Sequence, residues 1–242
     1  MICRISTISA LLSVTMSLAV AADDTNERLT ARMAKLFPKD KVTDISPAPI
    51  AGLYEVLLGA SLFYISADGR YVVRGDIIDL DGRENISDKR RSHARQQVFA
   101  RLDTKGLIEF PATTPDTKKV LYVFTDIDCA YCRKMHREVG TLNQAGIAVR
   151  YLAFPRTGLK GASFDKATAV WCAANRQEAI TAAKLGQPVE SPKCASPVAQ
   201  EFELGQSMGV TGTPAVYTDQ GEQIGGYVPA EEIIKMVEEG KI

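Results

Sequence analysis

The chain has 242 residues, 45% of them hydrophobic and 24% charged. These are the proportions of a soluble globular protein, not of a disordered tail, a collagen-like rod or a polytopic membrane protein. The 29 Lys+Arg balance the 29 Asp+Glu, so no basic surplus points to nucleic acid as a partner. Five cysteines are too few for a disulfide scaffold, and their positions carry the information.

The chain opens with a short segment bearing one positive charge at Arg4, then an uncharged, mostly apolar run from Ile5 to Leu18. Small residues Ala19-Val20-Ala21 follow, and the sequence turns polar at Ala22-Asp23-Asp24. This is the three-part pattern of a secretory signal peptide, cleaved after Ala21 or Ala22. The apolar run is shorter than the roughly 20 residues of a membrane-spanning helix. Cys3 leaves with the signal, and Cys129, Cys132, Cys172 and Cys194 remain. Export places them where disulfides form and persist.

Residues 22–84 read as a small N-terminal domain. Leu29, Met33, Leu36 and Phe37 fall on one face of a helix over 24–37, which Pro38 stops. Leu53–Leu58 and Leu62–Ser66 read as strands. Asp68-Gly69 turns into Tyr71-Val72-Val73, and Ile77–Leu80 adds a further strand. A unit of about 60 residues buries too little surface to be comfortable alone, so it is expected to pair with another chain. Asn85–Leu102 reads as a linker helix, residues 85–103. Its basic face (Lys89, Arg90, Arg91, Arg95, Arg101) is read as solvated in preference to an anion site.

From residue 104 to 242 the pattern is α/β. Val120–Thr125 and Ile147–Phe154 are continuous apolar runs, as in strands buried on both faces. Cys129–Gln144, 164–186, 196–208 and Ala230–Glu239 read as helices. Ala215–Thr218 and Glu222–Ile224 read as a hairpin around Asp219-Gln220-Gly221.

The chemistry sits in Cys129-Ala130-Tyr131-Cys132, between a buried strand and an amphipathic helix. At a helix start, unpaired N–H groups and the helix dipole favour a thiolate, which lowers the thiol pKa below about 8.5. Cys129 is expected to be exposed and Cys132, one turn in, more buried. Asp128 should oppose part of the effect. Zinc is disfavoured because a site wants four ligands and the chain has only His93 and His136. Haem attachment would need a His where Arg133 stands. Thr211-Gly212-Thr213-Pro214-Ala215 precedes a strand, and together with the CxxC it predicts a cis Thr213–Pro214 bond facing the sulfurs. Thr213, Pro214 and Tyr131 are the candidate substrate-binding residues. Asp126 reads first as a loop carboxylate and second as a proton acceptor for Cys132. His136 reads as a surface or satisfied residue, and Trp171 as core.

The stretch Phe124–His136 (FTDIDCAYCRKMH) resembles the active-site segment of the periplasmic DsbC/DsbG disulfide isomerase family, on the DsbC side. Val149–Leu159, Gly212–Val216, Pro47–Val56 and Leu62–Gly69 are similar to the same family, in the same order, over nearly all of the mature chain. Ala130 departs from the Gly expected in most DsbC proteins and the Pro expected in DsbG, at a place that tunes redox potential. The resemblance implies a thioredoxin-like α/β domain with a helical insertion, preceded by a small α+β dimerisation domain and a linker helix. It implies a second, structural disulfide between Cys172 and Cys194, for which chain entropy gives roughly 3 kcal/mol.

The implied function is a periplasmic disulfide isomerase or reductase, with Cys129 and Cys132 as its redox-active pair. Its expected partners are misfolded disulfide-containing exported proteins, a second copy of itself and a membrane thiol reductase of the DsbD type. No metal or organic cofactor is implied. The alternatives are an oxidase that donates disulfides and a chaperone that holds unfolded chains in a dimer cleft.

Overall fold

A computed structural model describes residues 13–38, 41–190 and 194–242, with side chains from Asp24 onward. Of the segment read as a signal peptide, residues 1–12 lie outside the described residues and the rest is described without side chains. Ala21 and Ala22 fall within the first helix, α1 (Ser13–Leu36). No described helix is long and apolar enough to cross a membrane.

The chain divides into two compact units, residues 1–75 and 76–242. In the first, α1 lies against a four-stranded antiparallel sheet ordered β1 (Val42–Pro47), β2 (Leu53–Leu58), β3 (Ser61–Ser66), β4 (Val72–Val73). Leu29 and Met33 are fully buried against Val56, Leu58 and Ile65. Phe37 packs on Phe63 with ring centroids 5.1 Å apart. Leu36, predicted for the same face, is instead exposed. β1 carries Asp44, Ser46 and Pro47, which conceal it in the sequence. An edge strand tolerates them because half its polar groups face solvent.

The second unit begins with a small β5–β6 ribbon (Ile78–Asp79, Glu84–Asn85) and helix α2 (Ile86–Ala100). The Asn85 side chain caps α2 by accepting from the Asp88 N–H at 2.9 Å. α2 is not the solvated basic helix that its sequence suggests, because one side of it is buried. Phe99 is 3% exposed and stacks on Tyr122 at 4.2 Å. Arg95 is 5% exposed, donates to the Gly221 carbonyl and to Gln223, and lies over the Tyr217 ring. Arg91 is paired with Asp76 and Asp88. Gly221 is needed at that turn. Its φ is +80°, and a Cβ there would meet the Ser92 carbonyl oxygen at 2.0 Å. The Phe99–Tyr122 stack and the buried Arg95 contacts hold α2 in place.

The main sheet is ordered β11 (Gln223–Gly225), β10 (Ala215–Thr218), β8 (Lys119–Thr125), β9 (Ile147–Ala153), β7 (Ile108–Phe110). β8 and β9 are parallel and the other pairs antiparallel. The helix predicted over 129–144 is broken at Glu138 into α3 (Ala130–Arg137) and α4 (Val139–Gln144). The predicted apolar side survives the break, with Cys132, Met135, Val139 and Leu142 all buried. Between β9 and β10 lie α5 (Ala162–Cys172), α6 (Arg176–Lys184) and α7 (Val198–Ser207), and α8 (Ala230–Glu238) closes the chain. Cys172 and Cys194 are joined by a disulfide across this helical insertion.

Glu201 on α7 is 6% exposed. Its carboxylate accepts from the Ala153 N–H at 2.6 Å and from Trp171 Nε1 at 3.2 Å, tying α7 to β9 and α5. Burial pushes its pKa up from 4.5 to about 7, against those two hydrogen bonds. A raised carboxyl pKa gives stability that is present below the unfolded value and lost as pH rises through the folded one. The span between the two pKa values corresponds to a contribution on the order of 3 kcal/mol. Glu201→Gln loses one acceptor but cannot ionise. The Tm difference, wild type minus Glu201→Gln, should therefore shrink as pH is raised from about 5 to about 8. Taking the difference removes the opposite contribution of His136, whose pKa is lowered. Thermal denaturation of both proteins across this range checks it.

Candidate functional site

β8 delivers Thr125 and Asp126 to the end of the sheet, and the chain turns there into α3. Cys129 is the N-cap residue of α3 and Cys132 lies in its first turn. The Thr213–Pro214 peptide bond before β10 is cis. The Cys129 thiol donates to the Thr213 carbonyl at 3.1 Å. Cys129 is therefore 3% exposed and Cys132 1%. The expectation that Cys129 would be exposed fails because its sulfur turns toward the proline loop instead of solvent.

The two sulfurs are unequal. Cys129 is drawn down from 9.0 to about 5, first by the hydrogen bond from the Cys132 thiol, which outweighs the cost of burial. The Thr213 side chain and the backbone N–H groups of Cys132 and Tyr131 add to it. In the thiol form Cys129 makes no cap bond to α3, and the buried Thr213 hydroxyl has no partner. Ionisation turns the sulfur from a donor into an acceptor and gives these groups a use. Cys132 is pushed far up, first by burial and then by its hydrogen bond to Cys129. The thiolate and its reserve proton are thus separated within one pair.

Asp128 does not oppose this as the sequence suggested. Its carboxylate is held by Lys166 at 2.8 Å and Arg133 at 3.1 Å. Asp126 is buried, with its oxygens taken by the N–H groups of Asp128 and Arg156, each at 2.7 Å. His136 bridges the Tyr151 and Thr181 hydroxyls at 2.9 and 3.0 Å, and burial lowers its pKa to about 4. Trp171 is fully buried.

A thioredoxin-like domain family model matches residues 110–241. The model of the disulfide bond isomerase protein N-terminal domain matches residues 19–88. The thiol:disulfide interchange protein DsbC of Escherichia coli K12 is 36% identical over 199 residues, 82% of each chain. This chain belongs to the DsbC family of thiol:disulfide interchange proteins. The Salmonella typhimurium DsbC is 34% identical over 233 residues, 95% of this chain and 93% of its relative. A Proteus mirabilis ScsC variant of solved structure superposes with a TM-score of 0.50 at 19% identity, over 64% of this chain and 84% of its own, and shares the fold. The main sheet with its helices is thus a thioredoxin-like domain with a helical insertion, and a small α+β domain precedes it.

Within this DsbC-family chain the structure brings Cys129, Cys132, Thr213 and Pro214 together, as the motifs suggested. Tyr131 is 62% exposed beside them. Sequence reasoning missed its neighbour Tyr227, whose ring stacks against Tyr131 at 6.1 Å. The Tyr227 hydroxyl donates to Glu138 at 2.6 Å, and Glu138 also accepts from the Ala230 N–H. The residue that breaks the predicted helix is thus the anchor of an aromatic pair beside the CxxC. Sequence reasoning also missed Lys184, which is 4% exposed and donates to Thr125 Oγ1 at 2.8 Å. Its signal, a lysine at the end of a helical pattern, is the signal of an ordinary exposed residue.

The inequality of the sulfurs predicts selective chemistry. At a pH between the Cys129 value of about 5 and that of an ordinary thiol, a small alkylating reagent should modify Cys129 and leave Cys132 free. Peptide mass mapping of the reduced protein checks this. Modification of Cys132 first would reverse the roles of the two sulfurs.

Proposed function

We propose that this chain is a periplasmic protein-disulfide isomerase and reductase. One observation carries the reading. A low-pKa thiolate at the start of a helix faces the loop of a cis-proline, with a protonated partner thiol held in reserve. Cys129 attacks a wrong disulfide in an exported protein and forms a mixed disulfide. A second substrate thiol then resolves it, which gives rearrangement, or Cys132 resolves it, which gives a reduced substrate and an oxidised pair. Thr213, Pro214 and Tyr131 line the approach to Cys129 and contact the substrate chain. Reuse after reduction of a substrate requires electrons, and a membrane thiol reductase of the DsbD type is their source. The three-part pattern of the first 22 residues supports export.

The working unit is a homodimer. The first unit's sheet has two edges, β1 and β4, and leaves Ile50, Tyr71, Val72 and Val73 at least one-third exposed. Pairing with a second copy covers such edges and apolar residues. Two CxxC sites then serve one bound substrate, and rearrangement needs the substrate to remain bound between steps.

The truncation that tests this begins at Asp76, where the second unit begins. A cut after α2 would strip Phe99 from Tyr122. Residues 76–242 are expected to sediment as a monomer and still reduce a simple disulfide. They should lose most of the ability to reactivate a scrambled multi-disulfide protein. A monomeric full-length chain, or a truncation that keeps its isomerase activity, would overturn the dimer mechanism and leave a reductase.

A further inference from the structure

Resolution by Cys132 has a difficulty that the geometry sharpens. The attacking species must be a thiolate, yet Cys132 is 1% exposed and its pKa is raised. Something must take its proton inside the protein. Asp126, the buried carboxylate just past the end of β8, is committed to two backbone N–H groups and to Arg156. The two nitrogens of His136 are occupied by the Tyr151 and Thr181 hydroxyls.

Lys184 remains. It is the last residue of α6 and makes no ion pair among the described residues. Its Nζ reaches Thr125 Oγ1 at 2.8 Å and the Asp126 carbonyl at 3.4 Å, and lies over the Tyr151 ring. Besides its bond to the Cys129 sulfur, the Cys132 sulfur is influenced by the Thr125 hydroxyl and the Asp126 backbone N–H, both of which favour its thiolate. A hydroxyl accepts and donates at once, so Thr125 connects the amine to the thiol. A buried lysine without a carboxylate partner costs stability. Its place one hydroxyl away from a buried thiol gives it a use.

We propose that Lys184 is the proton acceptor for Cys132, reached through the Thr125 hydroxyl. The proposal rests on the reading of Cys132 as the resolving thiol. In the mixed disulfide, the Cys132 proton moves to Thr125 Oγ1 as the Thr125 hydroxyl proton moves to Lys184 Nζ. The Cys132 sulfur attacks the Cys129 sulfur. The Cys129–Cys132 bond forms and the bond from Cys129 to the substrate sulfur breaks. The electron pair leaves on that sulfur, which is protonated by solvent. The enzyme pair is oxidised, the substrate is reduced, and Lys184 is left as ammonium.

The groups facing Lys184 support this poise. Burial lowers its pKa from 10.5 to about 8, while charge on Cys132, Cys129 and Asp126 pulls it up and Arg133 pushes it down. His136 and Tyr151 also face it, and with burial lowering the one and raising the other, both are neutral near pH 7. An amine poised near neutrality is suited to exchange a proton.

The test uses the full reduced chain and 5,5′-dithiobis(2-nitrobenzoate) in stopped flow. The first thionitrobenzoate released reports attack by Cys129, and the second reports resolution by Cys132. Lys184→Met keeps the length and packing of the stem. It should slow the second phase by about 10²-fold, the lower end of what a positioned base contributes, and change the first phase much less. The wild-type second phase should rise with pH as Lys184, its pKa lowered by burial, loses its proton, and in Lys184→Met that rise should move to higher pH. Thr125→Val should slow the second phase alike. Lys184→Arg, permanently charged, should behave as Lys184→Met does. A Lys184→Met or Thr125→Val second phase at the wild-type rate overturns the relay. Recovery in Lys184→Arg overturns it too, since a fixed charge would then suffice. A wild type that releases only one equivalent removes resolution by Cys132 itself, a failure distinct from these.

Discussion

The hydrogen bond from the Cys132 thiol to the Cys129 sulfur is the interaction on which the rest of the site depends. It makes two chemically identical side chains into a thiolate and a protonated reserve. Each partner's shift is tied to the other, because the bond that stabilises charge on the Cys129 sulfur also opposes loss of the Cys132 proton. Burial enlarges the difference, since it costs Cys132 more than Cys129. The fold serves this bond. β8 ends where α3 must begin, the helix start fixes Cys129 and Cys132 on one side, and the loop before β10 brings the Thr213 carbonyl to the first sulfur.

The surroundings of the pair are polar and almost wholly partnered. Asp128 is ion-paired with Lys166 and Arg133, the Asp126 oxygens accept from backbone N–H groups, and both His136 nitrogens are hydrogen-bonded to hydroxyls. Such partnering keeps stray charges from setting the Cys129 pKa and leaves the hydrogen bond between the two sulfurs in control. The Thr213 hydroxyl is the exception, buried without a partner until the thiolate forms. An unpaired buried hydroxyl is costly, and here the cost falls on the state the chemistry leaves behind. The helical insertion contributes through Thr181 and Lys184 on α6, so it is part of the site's electrostatics as well as its cover.

Much of this was legible in the sequence because it depends on spacing. Cys129 and Cys132 two residues apart, a buried strand before them and a Thr-Pro before a later strand suffice to bring those four residues together. Leu29 and Met33 announced a helix face, and Val120–Thr125 a buried strand. What was hidden depends on partners far along the chain. Cys129 looks exposed until the Thr213 carbonyl, 84 residues on, is in place. Arg95 reads as one charge in a basic run until Tyr217 and Gly221 cover it. Glu138 reads as mid-helix until Tyr227 and Ala230 claim its carboxylate. Lys184 is hidden by the same logic, since burial of a lysine end has no local pattern.

The central claim, that Cys132 holds Cys129 as a thiolate, is tested most directly by titrating the thiolate absorbance of the reduced protein in the ultraviolet. A single thiolate should appear with a midpoint near the Cys129 value of about 5, with the second sulfur silent through neutral pH. In Cys132→Ala that midpoint should move upward toward the ordinary thiol value. Two thiolates titrating together at the ordinary cysteine value of about 8.5, or a Cys132→Ala midpoint identical to wild type, would contradict the account.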